Sequence, residues 1–266
     1  MDDDFPNIRY ITASVALQEK HVFLNGHCVL STHRSPDKPT DNEDACLLLQ
    51  LSESSGVIAI ADGAGGHAAG RDASRIALEH VQRELLAADN ATDLRAPILN
   101  AFEAANAQLL EEARGSATTL MIVELQGDTL RHYHVGDSSA MLVGQRGVLR
   151  LQTVAQSLVG YGIEAGLLHT DAALDHDERH VVLSLVGTSD MRVEIGAPLP
   201  LKRFDTLLLC SDGLTDNVGL LDIVELLRKG PIDKIIVALQ EKATRNMALG
   251  NGHPDDLTLA IYRRCK

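Results

Sequence analysis

The chain has 266 residues, 45% of them hydrophobic and 23% charged, with a formal net charge of −13. That is enough apolar content for a substantial core in one large domain or at most two small ones, while the acidic balance argues against nucleic-acid or anionic-membrane binding driven by overall charge. Four scattered cysteines, Cys28, Cys46, Cys210 and Cys265, form no CxxC pair, so neither a zinc knuckle nor a disulfide framework is indicated and a reduced cytoplasm fits best. The acidic start Met1-Asp2-Asp3-Asp4 has the wrong charge for a signal peptide, and no apolar run approaches the ~18 residues of a membrane span. A soluble, cytoplasmic chain with neither nucleic acid nor membrane as partner is expected.

In chain order, the mixed stretch Arg9–Leu17 and the short apolar runs Cys46–Leu51 and Val57–Ala61 read as early strands. Ala73, Ile76, Ala77, Val81 and Leu85 recur at helical spacing, as do Leu94, Ile98, Phe102, Ala105 and Leu109, which predicts two amphipathic helices joined by a short connection near Asn90. Ala117–Leu125 is apolar enough for a strand buried on both faces, and Gly127-Asp128 turns it into Thr129–Val135. Ser139–Val143 and Val148–Leu151 form a further hairpin, so the stretch is expected to be one antiparallel meander. Thr153 to about Asp177 lacks periodicity and reads as a surface excursion with one short helix. Asp205–Ser211 is a strand, Leu220–Arg228 and Ile232–Arg245 are helices, and Leu257–Arg263 is a closing strand. Strands and helices come in blocks, which favours an α+β class over a doubly wound parallel sheet.

The chemistry lies in carboxylates at strand ends. Asp62 follows the run Val57–Ala61 and Asp212 follows Thr206–Ser211, each with glycine directly after it, so that the backbone can turn and offer its own carbonyl as an oxygen ligand. Asp255 and Asp256 precede the last strand in mirror fashion. Carboxylates gathered at one sheet edge either raise their pKa values or bind cations, and oxygen-only ligands point to Mg²⁺ or Mn²⁺.

Asn42-Glu43-Asp44, Asp62-Gly63-Ala64-Gly65-Gly66-His67-Ala68-Ala69-Gly70, Ser116-Ala117-Thr118-Thr119, Val135-Gly136-Asp137-Ser138, Ser211-Asp212-Gly213-Leu214-Thr215-Asp216 and Asp255-Asp256-Leu257-Thr258 follow one another in fixed order. Together they resemble the signature blocks of bacterial metal-dependent, type 2C serine/threonine protein phosphatases, over nearly the whole chain from Cys28 to Arg263. The resemblance implies a single domain over 1–266, a four-layer α/β/β/α sandwich of two antiparallel sheets flanked by helix pairs, with a flap-like insertion at about 153–177. It implies two Mn²⁺ or Mg²⁺ ions and a weaker third. Asp62 would bridge two ions, the Gly63 carbonyl would bind one of them, and Asp212 and Asp255 the other. Glu43 and Asp44 would act through waters and Asp137 at the third ion. The implied reaction is hydrolysis of phosphoserine and phosphothreonine by water activated between two metals, with Asp62, Asp212 and Asp255 as the catalytic set. The partner would be a phosphorylated protein, opposing a serine/threonine kinase. No covalent enzyme intermediate, and hence no Cys-x5-Arg nucleophile, is expected.

Departures from the family pattern also bear on function. Pro39 stands where an arginine usually grips the substrate phosphate, leaving Arg34 or Lys38 as phosphate-binding candidates, arginine being favoured for its bidentate fork. The plainer reading of each is a solvated basic residue in a loop. Pro39 also motivates an alternative function, a catalytically weak or inactive phosphatase-fold sensor. Ala64 replaces the histidine that some forms use as a general acid. Asp256 replaces the usual Asn and is expected to add charge beside the ions or to reshape a hydrogen bond around their ligands. His132 and His134 share one strand face and in isolation suggest a transition-metal site, but no third nitrogen or sulfur ligand is placed by sequence, so surface or satisfied histidines are the commoner reading. His67 reads as structural and Cys210 as a small buried hydrophobe.

Overall fold

The computed structural model describes residues 7–11, 16–36, 38, 40–64, 68–88, 93–112, 115–169, 176, 178 and 181–265. Two antiparallel sheets face each other. The first runs in the order β1 (Asn7–Ile11), β4 (Asp44–Gln50), β5 (Ser55–Ala64), β7 (Leu120–Gln126), β8 (Thr129–Val135), β11 (Glu194–Ile195), with β6 (Ala117–Thr118) on β5 and β12 (Leu199–Pro200) on β8. The second runs β10 (Leu149–Gln152), β9 (Ser139–Val143), β13 (Thr206–Cys210), β14 (Leu257–Arg264), β3 (Gly26–His33), β2 (Leu17–Phe23).

The continuous apolar runs have their cause in burial on both faces. Along β4 and β5, Leu47, Leu49, Val57, Ala59 and Ala61 pack against α1 (Ala68–Leu86) and α2 (Arg95–Glu112). The alternate residues Cys46, Leu48, Ile58 and Ile60 meet Cys28, Leu30, Leu207 and Leu209 of the opposite sheet. The outer face of the second sheet, with Val29, Leu208, Cys210 and Ile261, is covered by Leu214 of the short helix α4 (Asp212–Thr215), and by α5 (Leu220–Leu227) and α6 (Ile232–Leu249). The four layers are therefore α/β/β/α, and the class is α+β. Among the described residues no helix is long and apolar enough to cross a membrane.

Several expected elements are corrected. The Arg9–Leu17 stretch is not one strand: β1 and β2 lie in different sheets, and β2 makes a hairpin with β3 that the sequence reading missed. The supposed single meander changes sheets, since β7 and β8 belong to the first and β9 and β10 to the second. Gly136, at φ 98°, makes that crossing, with Thr119 Cγ2 only 2.7 Å from where a Cβ would sit. The Ala117–Leu125 strand breaks at Thr119 into β6 and β7. The excursion after Thr153 carries its one short helix as α3 (Leu158–Glu164), started by Ser157, whose hydroxyl accepts from Gly160 N at 3.0 Å. α6 runs four residues past Arg245 and ends at Gly250, which has the left-handed φ of 69° suited to a glycine cap. The expected connection near Asn90 and the stretch 170–175 lie outside the described residues.

Candidate metal centre

One end of the sandwich collects the acidic motifs. β4 begins at Asp44, which stands opposite Asp62 near the end of β5 in the antiparallel register. Two threonines occupy the Asp62 backbone: Asp62 N donates to Thr119 Oγ1 at 3.0 Å, while Thr118 Oγ1 and Thr119 N donate to its carbonyl, each at 2.8 Å. Thr119 in turn shares a 2.7 Å hydroxyl contact with Ser138, beside Asp137 on the sheet crossing. With its main chain so held, Asp62 presents a half-buried carboxylate on a rigid strand end.

Backbone packing is tightest beside it. A Cβ on Gly63 would strike the Gly70 carbonyl, and one on Gly70 would come within 2.5 Å of Glu43 Oε1. The glycines of the Asp62–Gly70 motif thus let α1 start directly against β5. At the second strand end, a Cβ on Gly213 would strike the Asp256 carbonyl, which seats α4 against the start of β14. Asp212 is the first residue of α4, and Asp255 lies just ahead of β14.

The resulting field is strongly negative. Burial, reinforced by Asp44, Asp212, Asp255 and Asp137, carries the Asp62 carboxyl well above the ordinary carboxylate range. Asp212 rises likewise by burial and then by Asp137, Asp255, Asp216 and Asp44. Burial pushes Asp137 up to about 7, with Asp216 and Asp255 adding to it against a backbone hydrogen bond. Asp44 also goes up to about 7, through burial and the charge of Asp256, against hydrogen bonds from Ser211 and Thr258. Asp255 is raised as well, chiefly by burial. These mutual influences place Asp44, Asp62, Asp137, Asp212 and Asp255 in one neighbourhood, and they add Asp216, quoted in a motif but not picked as a site residue. Its position four residues after Asp212 was the available signal.

A hard cation fits this setting. Glu43 Oε1, Asp44 Oδ1 and Asp212 Oδ1 are buried without hydrogen-bond partners, a costly condition that oxygen-coordinated Mg²⁺ or Mn²⁺ relieves. Among the described residues no three acidic, histidine or cysteine side chains form a ready-made cage. Ions here would be held by one to three carboxylates each, completed by backbone oxygen and water.

Residues 32–230 match the protein phosphatase 2C family. The chain belongs to that family. Among curated family relatives, the serine/threonine phosphatase stp of Listeria monocytogenes is 28% identical over 235 residues, 84% of this chain and 90% of that protein. The serine/threonine protein phosphatase PstP of Mycobacterium tuberculosis is 31% identical over 216 residues, 77% of this chain and 40% of that protein. In structure, the serine/threonine phosphatase Stp1 of Staphylococcus aureus superposes with a TM-score of 0.77 at 25% identity, covering 93% of this chain and 99% of that one. A PstP catalytic domain in complex with two manganese ions gives a TM-score of 0.71 at 25% identity, covering 96% and 97%.

Lys38 reaches Glu43 Oε2 at 2.5 Å and Asp256 Oδ2 at 2.7 Å, so its ammonium is already engaged. Arg34 is exposed and donates to Thr40 O at 3.4 Å. Pro39 and His67 lie outside the described residues. Asp256 is buried, and its carboxylate takes the N–H groups of Ser35 and Glu43 at 2.8 Å each, which makes it a clamp on the preceding loop. Cys210 is fully buried, and burial pushes its thiol up to about 12. Cys28 and Arg34 do stand at Cys-x5-Arg spacing, contrary to the expectation, but β3 runs through that segment and burial raises the Cys28 thiol well above its ordinary value, so no nucleophile loop exists there. His132 and His134 are satisfied at most in part: the Nδ1 atom of each is buried without a partner, while His134 Nε2 donates to Val154 O at 3.0 Å.

Proposed function

We propose that the carboxylate cluster holds two Mn²⁺ or Mg²⁺ ions and that the chain uses them to hydrolyse phosphoserine and phosphothreonine in proteins. The observation that carries this reading is the meeting of Asp44, Asp62, Asp137, Asp212 and Asp255 around buried, unpartnered carboxylate oxygens. When bound, paired divalent cations activate water for in-line attack on phosphorus and neutralise charge on the phosphoryl oxygens.

The chain's own part is placement. Asp62, fixed by Thr118 and Thr119, is suited to bridge two ions, and the Gly63 carbonyl beside it to serve one of them. Asp212 and Asp255 would hold the other, and Asp137 with Asp216 a weaker third. Glu43 and Asp44, both buried, would act mostly through metal-bound water, Asp44 being held in turn by Ser211 at 2.8 Å. The excursion of about 153–177 is the flap of a single domain. A cytoplasmic chain opposing a serine/threonine kinase accords with its free cysteines and with the named activities of its relatives.

Hydrolysis of p-nitrophenyl phosphate and of a phosphothreonine peptide with added Mn²⁺ tests this. Asp212→Asn is expected to lower kcat/KM by roughly 10²-fold or more. Turnover that ignores Mn²⁺, or survives Asp212→Asn, would falsify the reading.

A further inference from the structure

Lys38 is clamped between two buried carboxylates, Glu43 on one side and Asp256 on the other. Asp256 does more than pair with it. One of its oxygens accepts from Ser35 N and the other from Glu43 N as well as from Lys38 Nζ, so both ends of the segment from Ser35 to Glu43 are tied to a single side chain. The two oxygens of Glu43 are consequently unequal. Oε2 is held by Lys38, whereas Oε1 is buried, without a partner, and beside the α-carbon of Gly70. The Gly63 carbonyl lies on that same side of Gly70, 2.8 Å from the Cβ position.

We infer that Lys38 and Asp256 act together as positioning residues for the metal centre, fixing the Glu43 carboxylate by Oε2 so that Oε1 faces the ion beside Asp62 and Gly63. This rests on the metal-centre reading above. Two of the three ammonium donors of Lys38 are committed to these carboxylates, whose combined charge exceeds its own, so an approaching phosphate meets one free N–H in a net-negative group and the pair serves the ions and not the substrate. Carboxylates near a metal depend on such outer partners for orientation, and loss of one typically costs 10- to 100-fold in metal affinity.

Calorimetric titration of the full chain with Mn²⁺, folding being checked by circular dichroism, decides the matter. Lys38→Met is expected to weaken Mn²⁺ binding by about tenfold, and Lys38→Arg to restore most of it. Asp256→Asn, which keeps the side-chain shape, is expected to weaken binding to a similar degree even where Lys38→Met fails to fold. Because the two act as a unit, the double variant should be little worse than either single one. A charge that merely screened the cluster gives the opposite sign, with Lys38→Met binding Mn²⁺ more tightly, and that result overturns the inference. Unchanged Mn²⁺ binding with a raised KM for phosphopeptide overturns it too, assigning Lys38 to the substrate. A native chain that binds no Mn²⁺ brings down the metal-centre reading and this inference together, whereas native binding with unaltered variants removes this inference alone.

Discussion

Ser211 occupies the N-cap position of α4 but makes no side-chain cap. Its hydroxyl instead donates to Asp44 Oδ2 at 2.8 Å and accepts from Thr258 N at 3.0 Å, joining three of the acidic motifs through one buried oxygen. Nothing in the motif spelling announces this, because a serine before Asp-Gly reads as ordinary turn or cap chemistry. Ser211→Ala removes one of the two side-chain hydrogen bonds on Asp44, whose first oxygen already has none, and leaves Thr258 N without its acceptor. The expected cost is about 1–3 kcal/mol in urea unfolding, together with weaker Mn²⁺ binding. A stability change within about 0.5 kcal/mol, the range of an ordinary surface substitution, would show that this hydroxyl does not support the centre.

At the scale of elements, one side chain ties the excursion after β10 to the sheet crossing. Gln156 is buried; its Oε1 accepts from Gly136 N at 2.9 Å, on the sheet crossing next to Asp137, and its Nε2 donates to Arg192 O at 3.0 Å, where the chain returns. The start of the excursion, the chain at Arg192 and the Asp137 turn therefore share an anchor. Gln156→Ala should loosen them together, seen as faster limited proteolysis within 157–192 and a fall in Mn²⁺-dependent turnover; an unchanged cleavage rate would mean that the segment is held elsewhere. Legibility in the sequence divides at this same level. Long elements with doubly buried faces or helical periodicity, such as β5, α1 and α2, were readable because burial imposes the pattern. The two-residue strands β11 and β12 are too short to carry a period, whereas the β2–β3 hairpin, which turns through Leu24 at φ 50°, carries a legible signal in Asn25-Gly26. In the candidate centre, strand-end carboxylates followed by glycine were visible as a pattern. The clamp role of Asp256 was not, because it depends on a loop 213 residues away in sequence, through the Glu43 N–H.

Across the whole molecule, the crowded carboxylates make stability depend on pH in a direction that cation binding should reverse. Asp44 and Asp137 go up to about 7, and Asp62, Asp212 and Asp255 are also raised, against about 3.9 in an unfolded chain. A raised carboxyl favours the fold below the unfolded value, and that contribution is lost as pH rises through the folded one. His132, lowered by burial to about 4, and His134, also lowered, act oppositely: their contribution is complete above about 6.5 and is lost as pH falls toward the folded value. Between pH 5 and 7, Asp44 and Asp137 at about 7, with Asp62 and Asp212 carried well above the ordinary range, outnumber the lowered histidines His33, His132 and His134, so the folded chain holds the more protons. Chelated protein should accordingly lose stability as pH rises from about 5.5 to 8. Mn²⁺ needs deprotonated ligands, so its stabilising increment should grow over the same interval, and its binding should release protons, measurable as a buffer-dependent heat. A thermal-shift increment that stays flat across that range, with no proton release, would mean that these raised carboxyls are not where the metal binds.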